Sequence, residues 1–393
     1  MPTRAGWTVA TAAITAIVAG RLLGLVEMYV LGGVALALVV VAVLSVRRRL
    51  PQLEVERTLV PARVHRGGDS HVDLVVVNEG RRRTQLLSLH DPVEGTVGAH
   101  VSLAPLDPGS TQTARYTLPT QRRGLLHIGP LQARFVDPFG LASRRREVAG
   151  RTHLTVLPSI EILDRLPEVV GVDDPLEGSS RPTAGPPGGG EFATLRGYVP
   201  GDDLRRVHWP SSARAGDLLV RLEDPLWQGH MTLVLEARAT RISSDDFEHA
   251  VTGAASIVHA VSRAGDRIRL VVTDGTDSGS VDARAARETL LEMLAVVDTV
   301  DSDGPLPRPP LDGRRGTGAL VLITGRLTPE DAEELDAAGT HYGSVLVITL
   351  DRATGASAED SFLDDFPGIA VASFGTDEPF ARAWNRYARQ GRR

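Results

Sequence analysis

Two apolar runs occupy the first fifty positions, and segments of strand-like and then mixed strand- and helix-like periodicity follow them. The first run extends from Trp7 to Leu25 and is interrupted by Arg21, whereas the second, Tyr29 to Val46, carries no charge. A membrane-spanning helix needs about 20 predominantly apolar residues. Residues 1–50 are therefore predicted to form a transmembrane helical hairpin (7–25, 29–46). A signal peptide is the alternative interpretation, but only Arg4 precedes the first run and no clean small-x-small cleavage site follows it.

The charges that flank the two runs predict an orientation for the hairpin. Arg47–Arg49 directly follow the second run, Arg4 precedes the first, and Glu27 falls in the short turn between them. Basic flanks are retained in the cytoplasm, and a headgroup contact of the same arginines gives the same side. The sequence therefore predicts a multi-pass cell-membrane protein with two helices, whose bulk, residues 50–393, is cytoplasmic.

Residues 51–160 contain short runs of strand character separated by Gly and Pro turns. Six of these runs are predicted to be strands: Leu53–Leu59, Ser70–Val77, Gln85–His90, Val101–Leu103, Thr111–Leu118 and Leu131–Val136. Short strands at this spacing are typical of an all-β sandwich. No catalytic constellation accompanies them, so we expect a sandwich-like accessory domain that acts as a spacer or contacts a partner.

A linker and then an alternating pattern follow the strand-rich region. Residues 161–190 end in GSSRPTAGPPGGG, a composition that predicts a flexible linker, and the absence of a Gly-Lys-Ser or Gly-Lys-Thr end argues against a phosphate loop. Over residues 226–393, strands are predicted at Met231–Ala237, Arg267–Thr273, Ala319–Thr324, Ser344–Leu350 and Ile369–Ser373, and helices at Asp245–Arg263, Asp282–Val300, Pro329–Ala338 and Pro379–Arg389. Such alternation predicts an α/β domain with a mainly parallel sheet covered on both faces. Ser243 and Ser244 are the candidate caps of the first helix.

The overall composition excludes several classes of site. The net charge is −6, so nothing favours a nucleic-acid partner, and the 43 basic residues are all arginine, which is typical of a GC-rich bacterial genome. The absence of cysteine excludes disulfides, thiolate metal sites and cysteine nucleophiles. Because aromatic residues make up only 4% of the chain, its cores must be built from aliphatic side chains.

The segment between the linker and the α/β domain, residues 191–225, has the most unusual composition. Pro200-Gly201 indicates a turn, after which Asp202 and Asp203 are placed to cap a short helix that extends through Trp209. Leu218–Glu223 alternates as a strand does. Five arginines and six acidic residues lie here, and they admit two interpretations. They form either a polar lattice that locks the loop onto the α/β domain, or a binding surface for a partner or an anionic ligand.

This segment resembles the signature of the DUF58 family, which runs approximately G-x-E-F-x-x-L-R-x-Y-x-x-G-D-D-x-R-x-I-x-W-x-x-S-A-R. The matching positions are Gly189, Glu191, Phe192, Leu195, Arg196, Tyr198, Gly201, Asp202, Asp203, Arg205, Trp209, Ser212, Ala213 and Arg214. Val207 stands in place of Ile, and His208 occupies a position that is often acidic. A second similar block comprises Arg122-Arg123-Gly124, Ile128-Gly129-Pro130 and Asp137–Leu141, so the resemblance covers most of residues 50–390.

The resemblance implies that residues 226–393 adopt a von Willebrand factor A-like fold, which holds a divalent cation at the carboxyl ends of its strands. An Asp-x-Ser-x-Ser segment and later Thr and Asp residues supply the oxygen ligands. The matching positions here are Glu236, Arg238, Thr240 and Thr324; Arg238 replaces a hydroxyl with a permanent positive charge, and the Asp expected after Thr324 is absent. We therefore expect a degenerate, metal-free site in which Arg238 pairs with Glu236 and occupies the place of the ion. Asp274 follows an earlier strand and is not expected to substitute.

The same resemblance implies a non-catalytic scaffold or adaptor that works with a MoxR-type AAA+ ATPase, and with other membrane-complex proteins, in the assembly or maturation of envelope complexes. Arg196, Tyr198, Gly201, Asp202, Asp203, Arg205, Trp209, Ser212 and Arg214 are then the candidate partner-binding residues. No cofactor is expected. Two alternatives remain: a regulatory sensor that binds an anionic ligand through Arg196, Arg205 and Arg214, and a hydrolase that uses Asp202, Asp203 or His208, for which no complete catalytic set is visible.

Overall fold

The computed structural model describes residues 1–48, 52–84, 86–164, 166, 194–197, 207–222, 230–307, 318–351 and 366–390. The chain forms two compact units. The first comprises Met1–Ser159 with Leu291–Val297, and the second comprises Ile160–Leu290 with Asp298–Arg393. The predicted linker, residues 161–190, falls mostly outside the described residues. Its first part does not behave as a linker, because the backbone amide of Glu161 donates to Ser256 and the Glu161 carboxylate accepts the Ala381 amide at 2.7 Å.

The first unit begins with two helices, α1 (Arg4–Leu23) and α2 (Val26–Arg48). Thr3 caps α1 by accepting the Gly6 amide, and Gly24 ends it in the left-handed conformation with φ 69°. A Cβ added to Gly32 would lie 2.6 Å from the Ala13 carbonyl oxygen, which shows how closely the two helices pack. Both helices are long and apolar enough to cross a membrane, a test that a signal sequence can also pass.

The hairpin prediction is correct in its two helices and wrong in one detail. Glu27, expected in the turn, lies in the first turn of α2, because the connection is shorter than predicted and is made by Gly24 and Leu25. The carboxylate thus lies near the amino terminus of α2, where the helix dipole favours a negative charge.

The described residues of the same unit then form ten strands: β1 (Leu53–Val60), β2 (Arg63–His65), β3 (His71–Asn78), β4 (Leu87–Asp91), β5 (Ala99–Leu103), β6 (Thr111–Thr117), β7 (Gly124–Ile128), β8 (Leu131–Val136), β9 (Ser143–Ala149) and β10 (Thr152–Leu157). They form sheets ordered β1-β3-β6, β2-β10-β7 and β5-β4-β8-β9. Strands β3, β4 and β8 alternate between buried and more exposed positions, and their buried side chains share one core with those of β7 and β10.

All six strands predicted for this region are present, and four further strands were not predicted. β2 and β7 are too short for a clear period, and β7 begins at a glycine with φ 132°. β9 is rich in arginine and exposed along much of its length, so it lacks an apolar face. β10 carries a continuous buried run that gives no alternation.

The remaining elements are β11 (Thr194–Gly197), α3 (Trp209–Ala215), β12 (Leu219–Leu222), β13 (His230–Leu235), α4 (Ser244–Ala264), β14 (Arg267–Val272), β15 (Val281–Asp282), α5 (Ala283–Val296), β16 (Ala319–Thr324), α6 (Pro329–Gly339), β17 (Ser344–Asp351), β18 (Ile369–Gly375) and α7 (Phe380–Gln390). Six strands form a sheet ordered β15-β14-β13-β16-β17-β18, in which all neighbours are parallel except the β14–β15 pair. The predicted mainly parallel sheet is therefore correct.

Several predicted boundaries in this region were wrong. The second helix, expected over Asp282–Val300, extends from Ala283 to Val296, and Asp282 instead caps it by accepting the Ala285 amide at 2.9 Å. β13 ends at Leu235 rather than Ala237. At the start of α4, Ser243 is the cap, since its hydroxyl accepts the Asp246 amide.

Candidate functional site

The candidate site lies at the carboxyl edge of the parallel sheet. Glu236 and Arg238 follow β13, Thr273 follows β14, Thr324 ends β16, and Asp331 lies in the first turn of α6. β13 pairs with β14 on one side and with β16 on the other, so the direction of chain progression reverses between β13 and β16. In open α/β sheets, ligands bind outside the carboxyl ends of the strands at such a switch point.

The backbone after β13 is held in place by its neighbours, which explains how the site is positioned. The Glu236 amide donates to Ile323 at 2.9 Å, and the Ala237 amide donates to the Thr273 hydroxyl at 2.7 Å. Val300 then donates to Ala237 at 2.7 Å and accepts the Ala239 amide at 2.9 Å. In an extended chain, residues two apart point to the same side, so Glu236 and Arg238 face each other.

The Arg238 guanidinium is the centre of the site. Its Nε donates to Glu236 Oε1 at 2.9 Å and its Nη2 donates to Glu236 Oε2 at 2.6 Å, which makes a bidentate pair. The same Nη2 donates to Asp331 Oδ1 at 3.2 Å, and Nη1 donates to the Gly304 carbonyl at 2.6 Å. Arg238 is only 2% exposed, and both carboxylates are equally well buried. The expected pairing of Arg238 with Glu236 is therefore present.

Other donors satisfy the remaining lone pairs of the two carboxylates. Glu236 Oε1 also accepts the Thr273 hydroxyl at 2.7 Å and the Arg238 amide at 2.9 Å. Asp331 Oδ2 accepts the Thr328 hydroxyl at 2.7 Å in a capping box that starts α6, and Arg241 Nε lies 3.5 Å from it. All four carboxylate oxygens therefore accept hydrogen bonds from the protein, and the guanidinium of Arg238 is the cation between the two carboxylates.

Electrostatics keep this cation charged. Burial lowers the pKa of Arg238, but the hydrogen bonds and charge of Glu236, and those of Asp331, outweigh that effect and raise its pKa above the ordinary value. Arg238 and the partly buried Arg241 balance the two carboxylates. A divalent ion bound here would replace the bonds to Arg238 while meeting its charge at close range, a repulsion of several kcal/mol at about 4 Å.

The residues present do not fit a divalent cation, although a von Willebrand factor A-like fold would imply one. Both carboxylates already pair with Arg238. The Thr324 hydroxyl donates to the Arg326 carbonyl at 3.1 Å, and Thr240 lies exposed in the turn after Arg238. Within the described part of the chain, no group of three or more His, Cys, Asp or Glu side chains is placed to hold a metal ion.

Asp331 is the residue that sequence reasoning missed. Its position depends on how α6 packs against the sheet edge, which no local pattern shows. A signal was nevertheless present, because Thr328-Pro329-Glu330-Asp331 has the spacing of a capping box directly after a predicted strand. A helix that begins there must place its first turn near the carboxyl edge.

The signature segment is described only in part. β11 and β12 pair antiparallel, and α3 begins at Trp209, where the predicted helix was expected to end. Ser212 is buried and joins α3 to β12, since its hydroxyl accepts the Leu219 amide at 2.8 Å and donates to the His208 carbonyl at 3.0 Å. Trp209 and Arg214 are exposed.

Most of the other candidate partner-binding positions of this segment lie outside the described residues. Arg196 lies in β11, while Tyr198, Gly201, Asp202, Asp203 and Arg205 lie outside the described residues. The polar lattice and the binding surface therefore both stay predictions. The Asp202–Asp203 cap likewise stays a prediction.

Residues 194–352 match the family model described as "Protein of unknown function DUF58". The chain is also similar to the uncharacterized protein YeaD of Bacillus subtilis (strain 168), with 28% identity over 155 residues. That similarity covers 39% of this chain and 37% of the length of YeaD. The resemblance to DUF58 is thus supported for the signature and most of the α/β unit, while the second block of residues 122–141 lies outside the matched range.

Solved structures show only partial likenesses. The CARDB domain of the PF1109 protein from Pyrococcus furiosus is 17% identical, with 27% of this chain and 91% of that chain covered and a TM-score of 0.21. A beta-glucosidase from Listeria innocua is 16% identical, with 27% of this chain and 17% of that chain covered and a TM-score of 0.17. At these scores neither likeness carries an argument about this protein.

Proposed function

We propose that this chain is a non-catalytic, membrane-anchored scaffold of the DUF58 type, whose α/β unit is von Willebrand factor A-like and binds a protein partner without a metal ion. The family match over residues 194–352 supports the DUF58 type, and the two apolar helices support the anchor. The sheet order β15-β14-β13-β16-β17-β18, with one antiparallel edge strand, supports the von Willebrand factor A-like fold. The partner class remains the one that the family resemblance implies, a MoxR-type AAA+ ATPase acting on envelope complexes.

The observation that carries this proposal is the position of Arg238. A guanidinium lies where the switch point of the sheet would otherwise offer two carboxylates to a ligand. Arg238 therefore neutralises the two carboxylates at the carboxyl edge of the sheet and holds them in place without any added ion. A partner is then held by the surface around the edge rather than by a shared cation, and the two carboxylates of the site are engaged by Arg238.

Replacing Arg238 tests whether it substitutes for a cation. Arg238→Ser supplies a hydroxyl and frees Glu236 and Asp331, so we expect Mg²⁺ to raise the melting temperature of this variant and to bind it in calorimetry, as hard oxygen ligands require. The unmodified chain should show neither effect. Arg238→Met, which removes the same charge without adding an oxygen, is the control and should gain less from Mg²⁺. Tight Mg²⁺ binding by the unmodified chain would refute the proposal.

The absence of native cysteine allows a direct test of the anchor. Leu25→Cys places a thiol in the connection between α1 and α2, and Val97→Cys places one in an exposed loop of the strand-rich unit. For a hairpin with both ends in the cytosol, a membrane-impermeant maleimide should label position 25 in intact cells and position 97 only after permeabilisation. The reverse labelling would place the bulk of the chain outside.

The partner is tested with the full chain in nanodiscs. A purified MoxR-type ATPase from the same genome should bind discs that contain the chain and should not bind empty discs. Arg214→Glu, an exposed change in the signature segment, should weaken the binding if this segment forms the contact. Equal binding to empty discs would remove the ATPase from the proposal while leaving the anchor untouched.

A further inference from the structure

We propose that the turn at Pro138 and Phe139, together with Arg144 and Arg145, forms a contact surface for anionic phospholipid headgroups. The inference rests on the proposed anchoring of α1 and α2 in a bilayer and adds a second membrane-contacting element to it. That element belongs to the strand-rich part of the first unit. Four observations carry it: a rigid turn, an exposed aromatic ring, attachment of the turn to the hairpin, and the charge beside it.

Asp137 fixes the loop of residues 137–142 in one conformation. Its buried carboxylate accepts the Phe139 amide at 2.9 Å and also the Ala142 amide, while its own backbone carbonyl accepts the Gly140 amide at 2.9 Å. Gly140 supplies the left-handed backbone that the turn needs, with φ 70°. Backbone amides of the loop thus compensate the negative charge of Asp137.

The rigid loop presents an aromatic ring outward. The Phe139 side chain is 66% exposed at the tip of the turn, and Pro138 beside it is exposed as well. Burial of apolar area is the main favourable term in association, and a ring on a fixed turn gives up little conformational freedom when it is covered. Phe139 is therefore well suited to enter an apolar or interfacial environment.

The same loop is attached to the beginning of α1. The Thr3 amide donates to Leu141 at 2.9 Å, and the Thr3 hydroxyl donates to Gly140 at 2.6 Å. Gly6 packs against the Leu141 carbonyl so closely that no Cβ would fit. Leu141 and Ala142 complete a small apolar cluster with residues of both helices, namely Ala10, Val39, Ala42 and Val46. The loop therefore lies at the end of the hairpin where α1 begins and α2 ends.

This end of the hairpin marks the level of the bilayer surface under the proposed anchoring. α1 contains 20 residues, and at about 1.5 Å per residue its length is about 30 Å, which equals the hydrocarbon thickness of a bilayer. The residue pair Arg4 and Arg47 then lies at headgroup depth. Because the loop is hydrogen-bonded to Thr3, Phe139 must lie at nearly the same depth in the bilayer. Aromatic side chains are enriched at that depth.

The charge beside the loop favours a lipid surface over an apolar protein groove. Arg144 Nη1 lies 3.4 Å from the Arg47 carbonyl oxygen, which places the start of β9 at the end of α2. Arg144, Arg145 and Arg146 are all exposed, and the exposed Glu147 follows farther along the strand. Anionic headgroups of the cytoplasmic leaflet attract such juxtamembrane basic residues within a Debye length.

A single fluorescent label on the full chain in nanodiscs tests the surface. The environment-sensitive label nitrobenzoxadiazole is attached to the thiol of the Phe139→Cys variant. In the control, the same label is attached to the Val97→Cys variant, at a position that is 90% exposed. The register pairs Leu87 with Phe135 and His90 with Gln132, so the loop after β4 lies at the opposite end of β8, about 20 Å away. Discs of phosphatidylcholine alone are compared with discs that also contain phosphatidylglycerol, one protein per disc.

We expect the label at position 139 to shift to the blue and to be quenched several-fold less by iodide than the label at position 97. Headgroup-labelled spin lipids should quench position 139 only. The protection should increase with phosphatidylglycerol and decrease when Arg144→Glu and Arg145→Glu are added. Arg151→Glu, an exposed change beyond the end of β9 that is far from Arg144, should leave it unchanged.

Equal iodide access at both positions would overturn the inference. Carbonate extraction separates the two proposals, because a chain that resists extraction while position 139 stays open to water keeps its anchor and loses only this surface. Protection that is already complete in detergent, without phospholipid, would show that another part of the chain covers Phe139 and would also overturn it.

Discussion

Each unit of this chain buries an arginine against carboxylate, and the two clusters differ in what surrounds the charge. In the strand-rich unit, Arg57 on β1 lies 3.0 Å from Asp91 at the end of β4, and Tyr116 on β6 donates to the same carboxylate at 2.6 Å. Because β1 and β6 belong to one sheet and β4 to another, this cluster joins two sheets of the strand-rich unit. It contains one acid, one base and one phenol.

The cluster in the α/β unit has a different composition and position. Arg238 faces two carboxylates, Glu236 and Asp331, at the carboxyl edge of a parallel sheet and at the first turn of a helix. Two converging carboxylates are what a cation site offers, whereas one carboxylate between two sheets is a structural link. Both units therefore contain the same kind of arginine–carboxylate ion pair. The position of each pair in the fold distinguishes a structural link from a replaced cation site. Four predictions test this difference.

The largest effect is expected from Arg238→Met. It leaves two buried carboxylates without their cation, and breaking such a pair costs about 3–5 kcal/mol in the free energy of unfolding. Urea unfolding of the full chain in detergent, followed by hydrogen exchange of peptides from β13 and β16, measures the loss. Arg263→Met, an exposed change on α4, is the matched control and should cost less than about 0.5 kcal/mol. A cost as small as that of the control would show that Arg238 does not hold the edge together.

A smaller effect is expected from Arg57→Met, about 3 kcal/mol, because only one carboxylate is left and Tyr116 still donates to it. Urea unfolding of this variant and of Arg238→Met, with the unmodified chain as reference, compares the two clusters. A loss in Arg57→Met that equals or exceeds the loss in Arg238→Met would contradict the distinction.

The difference between the clusters also shows what the sequence can reveal. Glu236 and Arg238 are two residues apart in an extended segment, so their pairing follows from local geometry. Arg57 and Asp91 are 34 residues apart, and their contact depends on how two sheets pack. Asp331 reaches the site only because α6 follows β16 at the sheet edge. Sequence reasoning therefore found the parallel sheet, the hairpin helices and half of the site, and missed what depends on packing.

Tyr116→Phe should have an intermediate effect. The hydroxyl donates to a charged acceptor, and loss of such a bond costs about 1.5–3 kcal/mol. Burial, and then the hydrogen bond and charge of Asp91, raise the pKa of Tyr116 above its ordinary value of 10.0. Its stabilising contribution is therefore present below about pH 10 and is lost as the pH rises beyond it. In the variant this alkaline loss should disappear, and an unchanged slope above pH 10 in thermal unfolding would contradict the assignment.

The smallest effect concerns His249 on α4, for which the described residues of the α/β unit show no ion pair. Its Nε2 is buried and has no hydrogen-bond partner among the described residues, and its ring lies 6.0 Å from that of Phe380. Burial lowers the pKa of His249, although Glu161, Asp246 and Glu378 act in the opposite direction.

The sign of the resulting pH dependence follows from that shift. With the folded pKa below the unfolded value of 6.5, the contribution is present above about pH 6.5 and is lost as the pH falls, since the unfolded chain binds the proton more readily. His249→Gln should therefore flatten the loss of melting temperature between pH 7 and 5, whereas His153→Gln, an exposed change on β10, should not. Acid sensitivity would then belong to the α/β unit and alkaline sensitivity to the strand-rich unit, because one buries an imidazole whose pKa is lowered and the other a phenol that donates to a carboxylate.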